Sequence, residues 1–339
     1  MAIAGALLVT LTLGAGMRWI LAGRWIPGWD FGHLRNAHSH LGYFGLVMPL
    51  VWLAWRGAGV ALPGRRTLWL YAAAVILTLF GFLSGGYGPA AIVGSSLVAA
   101  IWLLPAWRLR GQLRRWDRPL GAALPGLLSA LACVPAIGLL LRSDPSRGQA
   151  LVTTFLTLLL LGVALPTALD AGRLPARGVE LAPAAMLGAA ALGIWPAWPA
   201  RIGLAWLALL VARSVWSGAV NPRLRVAWTT VALALLVLAS GRLATTRPVL
   251  IGLIHFVLLG PVLASLSPAW LRRQPAEWAW WLELLAVALL AGSLLAQGLG
   301  AAAWSLDASA TGGSLVLAWW ALVLAWQPLG GAAEQRWRR

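Results

Sequence analysis

The feature that most constrains this chain is its segmentation. Runs of about 20 apolar residues follow one another from end to end, and the charged residues fall between them or near their ends. Inside a bilayer every backbone N–H and C=O must be bonded within the protein, so successive runs of this kind form transmembrane α-helices. With 60% hydrophobic and only 10% charged residues, and a mean hydropathy of +0.81, polar side chains are too sparse to cover a soluble domain of 339 residues. The expected fold is an all-α polytopic bundle, a single integral membrane domain over 1–339. All 26 basic residues are Arg, which with the many Ala, Gly, Leu and Trp points to a GC-rich bacterial genome and hence to the inner membrane. The net charge of +17 is spread over short loops and not gathered on one aromatic-studded face. The partner it implies is therefore the lipid bilayer and not nucleic acid. The one cysteine, Cys133, lies inside an apolar run and supports no disulfide framework.

Twelve runs are long enough to count, near 2–21, 36–55, 67–86, 89–107, 120–141, 149–170, 181–196, 199–215, 225–242, 248–268, 278–297 and 312–328. The seventh and eighth are short and separated only by the Trp-Pro-rich stretch Trp195 to Arg201. A broken or re-entrant pair there would reduce the count to eleven or ten. Even-numbered loops and the C-terminal tail hold 17 Arg and odd-numbered loops hold 8, with Arg213 inside the eighth run. Because cytoplasmic loops carry the excess of positive charge, this asymmetry favours twelve helices with both termini cytoplasmic. The first run lacks a basic leader and a cleavage site, so it reads as a retained span. Trp19, Trp25, Trp29, Trp52, Trp55, Trp116, Trp195, Trp198, Trp280 and Trp281 crowd helix ends, the position of interfacial anchors.

Ionisable residues within spans are the natural candidates for function. The chain has four histidines. His33, His38 and His40 precede or open the second helix, and His255 lies in the tenth. Both helices run inward from the outside in this topology. At 1.5 Å per residue His255 lies about 10 Å below Pro248, and His38 and His40 are slightly shallower, so all fall in the outer third of the bilayer. Two neutral imidazoles on different helices at one depth suit the axial positions of a haem iron, or a copper or zinc site. Gly42, Gly45 and Gly260 would let a flat macrocycle approach the helices. Arg35, Arg242 and Arg247 stand at the outer ends of the same helices, suited to pairing with propionates. His38 and His40 are about 200 degrees apart on a helix and cannot enter one site. The haem-free alternative uses His33, His38, His40 and His255 for copper or zinc, with His33 and His40 on nearly one face.

The stretch His38-Ser39-His40-Leu41-Gly42-Tyr43-Phe44-Gly45 resembles the HxHxxxFG segment of NnrS-type membrane haem proteins. His255 followed by Gly260 resembles their later H-x-x-x-x-G helix. Both are also similar to the low-spin-haem helices of haem-copper oxidase subunit I, a twelve-helix relative in which helices two and ten supply the axial histidines. The resemblance implies haem b held between helices two and ten by His255 and by His38 or His40. It further implies electron transfer, or handling of nitric oxide or another diatomic gas, with a redox partner or membrane complex around it. The sixth and seventh helices hold no histidine for a copper centre, so an oxygen-reducing oxidase is not expected.

Elsewhere, Asp170 and Glu283 read as paired or hydrated carboxylates near an interface, and Arg213 as snorkelling. Ser84-Gly85-Gly86-Tyr87-Gly88-Pro89 lacks the Lys of a phosphate-binding loop and reads as a tight turn. A secondary transporter is a further alternative, although no matched pair of broken helices marks a midplane site. An enzyme acting on lipid-linked substrates ranks last, since the outer loops offer only Asp30, Asp144 and Asp307.

Overall fold

The computed structural model describes residues 2–24, 28, 30–61, 63–111, 116–301 and 304–327, and among these the chain is helical with no strand. The helical rods follow one another in the order of the apolar runs: α1 Ala2–Leu21, α2 31–57, α3 Arg65–Gly85, α4 Pro89–Leu109, α5 119–143, α6 Pro145–Ala171, α7 Gly178–Leu192, α8 Trp198–Ser217, α9 Pro222–Ala239, α10 Arg247–Ala269, α11 Glu277–Gly298 and α12 Trp304–Ala325. Ten of them are long and apolar enough to cross a membrane, as in a multi-pass membrane protein. The other two are α7, of 15 residues, and α2, whose polar opening turns (Arg35, Asn36, His38, Ser39, His40) dilute its apolar stretch. Trp25, Trp29 and the Arg residues of the C-terminal tail lie outside the described residues.

Local chemistry sets the helix starts. The side chains of Asp30, Asp144 and Asn221 accept hydrogen bonds from the backbone N–H groups of His33, Arg147 and Leu224 at 2.8, 3.1 and 2.9 Å. These are N-caps that satisfy otherwise orphaned donors. Pro89, Pro145 and Pro222 stand at first helical positions, where a missing N–H costs nothing. Asp30 moves the start of α2 to Phe31, five residues ahead of the expected boundary. α12 likewise begins at Trp304 and not near 312, because its polar opening is made of small residues that pack. Ser305, Ser309, Gly312 and Gly313 are buried, and Gly312 lies directly against the backbone of Leu290 in α11. The Trp195 to Arg201 stretch joins two separate helices, α7 and α8, packed side by side, of which only α8 is long enough to count as a span.

Three rods form the centre. α6 and α10 bury 78% and 67% of their apolar windows, against 50% or less for the other spans. They meet each other and α2, while α1 packs against α12 and so joins the two ends of the chain. α2, α6 and α10, every fourth helix, are also the rods that contain π-helical turns: Leu41–Val47, Leu158–Ala164 and Leu258–Val262. A proline accompanies each turn, Pro49, Pro166 and Pro261. Proline lacks the N–H for the i−4 carbonyl and clashes with it, and a widened turn absorbs the mismatch. A carbonyl in the first π turn, that of Phe44, accepts a hydrogen bond from the Tyr71 hydroxyl of α3, which satisfies it in the bilayer interior.

Close approach and a few polar ties fix the packing. Gly126 of α5 lies against the Gly162 carbonyl in α6, where a methyl group would stand 2.3 Å from the oxygen. Trp55 Nε1 donates to Thr167 Oγ1 at 2.9 Å, tying α2 to α6. Asp170 accepts two bonds from Arg118, at 3.0 and 2.6 Å, the paired state expected of it. Arg213, read as snorkelling, instead donates to Glu180 at 2.8 Å. Ser84 to Pro89 forms the tight turn between α3 and α4, with Gly86 at φ +58°.

Candidate functional site

His38 lies on α2 one turn above its π segment, and His255 lies on α10 just above the corresponding one. His38 Nδ1–H donates to the Thr10 carbonyl of α1 at 2.9 Å, and His255 Nδ1–H donates to the Ile251 carbonyl of its own helix at 2.7 Å. With the proton fixed on Nδ1, the lone pair of each ring is on Nε2, the form of a metal-ligating histidine. Among the described residues neither Nε2 has a hydrogen-bond partner. The two ring planes are parallel within 7°, with centroids 5.8 Å apart.

Both rings line one cavity of about 440 Å³, within the roughly 300–1,000 Å³ typical of small-molecule and cofactor sites. Its walls come from α1, α2, α10, α11 and α12, with Leu156 from α6. Along α10 it runs from Arg247 to Leu266, about 28 Å at helical rise. The lining is mostly apolar; its charged residues are Arg18, Arg35 and Arg247, with Thr10, Ser39, Tyr43 and Gln297 as further polar ones beside the two histidines. Three guanidinium groups therefore face a space with no Asp or Glu in its wall. Arg18 is only 8% exposed, and among the described residues it has no ion pair. A desolvated cation without a counter-charge favours an anionic ligand.

The other expected residues divide. Arg35 and Arg247 line the cavity, and so does Gly42. Arg242 does not: it is exposed on the turn after α9, and Arg18 takes the place expected for it. Gly45 faces Leu41 and Ala6 of α1, and Gly260 faces Leu284 and Val287 of α11, so both serve helix packing and neither borders the cavity. His40 is turned away from His38, as the helical angle requires. Its Nδ1–H donates to Asn36 O at 2.8 Å, and its ring sits 4.1 Å from Phe82 and 5.4 Å from Phe44. His33 remains at the helix start, 4.0 Å from Asp30. The four histidines thus do not assemble, and among the described residues no group of three or more His, Cys, Asp or Glu can hold a metal ion.

Sequence reasoning missed Gly14, Arg18 and Gln297. Arg18 carried a usable signal, since it is a charged residue within a span, but its place at the end of the first run made it look like a loop residue. No family model, curated protein or solved structure is detectably similar to this chain.

Proposed function

We propose that this protein is a haem b-binding integral membrane protein of the bacterial inner membrane that carries electrons, and that His38 and His255 would hold the iron. The observation that carries this reading is the parallel pair of imidazoles, each with Nε2 free, in one mostly apolar cavity whose wall holds three Arg and no carboxylate. The donor set fits the group: two nitrogens for iron, cations for two propionates, and hydrocarbon walls for the macrocycle. When bound, haem supplies a one-electron iron couple. Thr10 and the Ile251 carbonyl hold the two rings in one tautomer and one orientation. Arg18, Arg35 and Arg247 hold the carboxylates, and the leucine-rich wall excludes water, which together set the potential.

If both imidazoles held the iron, no site on it would be left for a gas, so this reading favours electron transfer with a redox partner or complex subunit over capture of nitric oxide. The placement of the pair on helices two and ten agrees with the resemblance to NnrS-type proteins and to a haem-copper-oxidase-like arrangement. The test is a reduced-minus-oxidised optical spectrum of the detergent-purified protein, with haem and metals quantified, alongside His255→Ala. Soret and α bands that vanish in the variant support the reading. A colourless, haem-free protein made under haem-replete conditions overturns it, and copper or zinc content then tests the haem-free alternative. A carbon monoxide or nitric oxide difference spectrum in the wild type would move the assignment from electron transfer to gas handling.

A further inference from the structure

Glu283 lies six residues into α11, about 9 Å along its axis from the end where α10 finishes, and therefore in the half of the bundle away from His38 and His255. It is 1% exposed, and neither carboxyl oxygen has a hydrogen-bond partner. The sequence reading, a paired or hydrated carboxylate near an interface, does not hold. The Trp320 indole of α12 is directed at the carboxyl without closing a bond, and its Nε1 is likewise unpartnered. Trp270 at the end of α10 stacks 5.6 Å from Trp320. Trp280 stands 5.9 Å from the same ring, so the indole directed at the carboxyl is itself packed between two others.

The charged groups around it are few. From α9 comes Arg223, 5% exposed in its side chain, which lies over Trp280 at 4.5 Å and pairs with Glu277 at 3.5 Å. Glu277 belongs to α11 itself and is half exposed. α10 and α12 bring no ionisable side chain to this level; their His255 and Asp307 lie in the opposite half. Arg272 and Arg273 follow α10 at this end and are exposed, so among the described residues the cation that acts on Glu283 is Arg223, already shared with the half-exposed Glu277.

We infer that Glu283 is a proton-binding site, a carboxyl that holds its proton inside the bundle and exchanges it with water at the Glu277 end. The exchange breaks the Glu283 O–H bond and forms an O–H bond on a water entering at the Glu277 end, which hands its proton to the Glu277 carboxylate or to bulk water. Arg223 turns from Glu277 to meet the charge left on Glu283. No electron moves, and the same steps reversed reload the site. The inference does not rest on the haem reading, because the carboxyl lies outside that cavity.

The test is infrared spectroscopy of the full chain in lipid vesicles, in H2O and D2O. The expected result at neutral pH is a free-acid carbonyl band that moves to lower frequency in D2O and is missing in Glu283→Gln. Labelling glutamate with 13C at the carboxyl in the unmutated protein should move the same band, which keeps the test open if the variant fails to fold. Absence of the band, its persistence in Glu283→Gln, or its failure to respond to D2O would each overturn the proposal. The measurement needs no bound haem, so its failure is separable from failure of the haem reading.

Discussion

The imidazole of His38 rests on the backbone of Gly14: a methyl group at that glycine would stand 2.8 Å from Cε1 and 3.2 Å from Nδ1. α1 therefore positions the ring twice, bonding it through Thr10 and making room for it at Gly14. Gly14→Ala should push the ring out of its parallel alignment with His255 at an overpacking cost of about 1–3 kcal/mol, leaving the protein folded. Electron paramagnetic resonance of the oxidised protein should show an altered low-spin signal. An unaltered one would count against His38 as a ligand.

His38→Ala and His255→Ala should each abolish the low-spin spectrum, whereas His40→Ala and His33→Ala should keep it. His40 packs against Phe82 and Phe44, so its loss should appear as a lower melting temperature at unchanged haem content. Haem quantified by the pyridine haemochrome spectrum in all four variants checks this. Equal haem loss in His40→Ala would break the assignment of the pair.

Arg18→Leu should act in opposite directions on the empty and loaded protein. Without ligand, it removes a buried cation that has no carboxylate partner, and the apoprotein should melt higher. With ligand, it removes a charge-assisted hydrogen bond of about 1.5–3 kcal/mol, so haem affinity should fall roughly tenfold to a hundredfold. Arg242→Leu, away from the cavity, should change neither. Thermal melts and haem-transfer titrations on both variants decide the matter.

Gly126→Ala should damage the bundle without touching the cavity. Its new methyl group meets the Gly162 carbonyl at 2.3 Å, and backbone atoms cannot swing aside as a side chain can. A loss of at least about 1–3 kcal/mol is expected, read as a lower melting temperature with an unchanged low-spin spectrum below it.

Acid should loosen the start of α6. The Ser146 hydroxyl and the Arg147 N–H, both bonded to the Asp144 carboxylate, hold its pKa below the usual carboxylate range. A group whose folded-state value is depressed stabilises above its unfolded value, and that contribution is lost as pH falls through the folded one. Amide exchange at Ser146–Gly148 should therefore gain an excess over the intrinsic rate only below about pH 4, and Asp144→Asn should lessen that dependence.

Twelve apolar runs were legible because span length and loop arginines are set by bilayer thickness and charge, and both are written locally. The boundary errors have local causes: the cap at Asp30 lies outside the apolar stretch, and the buried face of α12 is made of Ser and Gly that hydropathy scores as loop. The depth match between His38 and His255 was readable from helix rise alone. Which of His38 and His40 faces the cavity was not, since it depends on α1 offering Thr10 and Gly14, a contact between distant parts of the chain. Arg18, and not Arg242, lines the cavity for the same reason. Proximity to a histidine helix in sequence says nothing about which helix ends surround the cavity. Glu283 looked interfacial by position, and its burial beside Trp320 depends on α12, a contact that the local sequence does not record.

The π turns below the two histidines make the reading frame of α2 and α10 discontinuous. Faces counted by threes and fours from His38 downward lose register at Leu41–Val47, and the same holds from His255 through Leu258–Val262. Deleting one residue from such a turn would preserve composition and hydropathy almost unchanged, yet rotate one half of the helix against the other by about 100°. The histidine-bearing half and the half beyond the π turn of each helix are therefore indexed separately. A chain can keep its bundle while its imidazoles turn to face another neighbour.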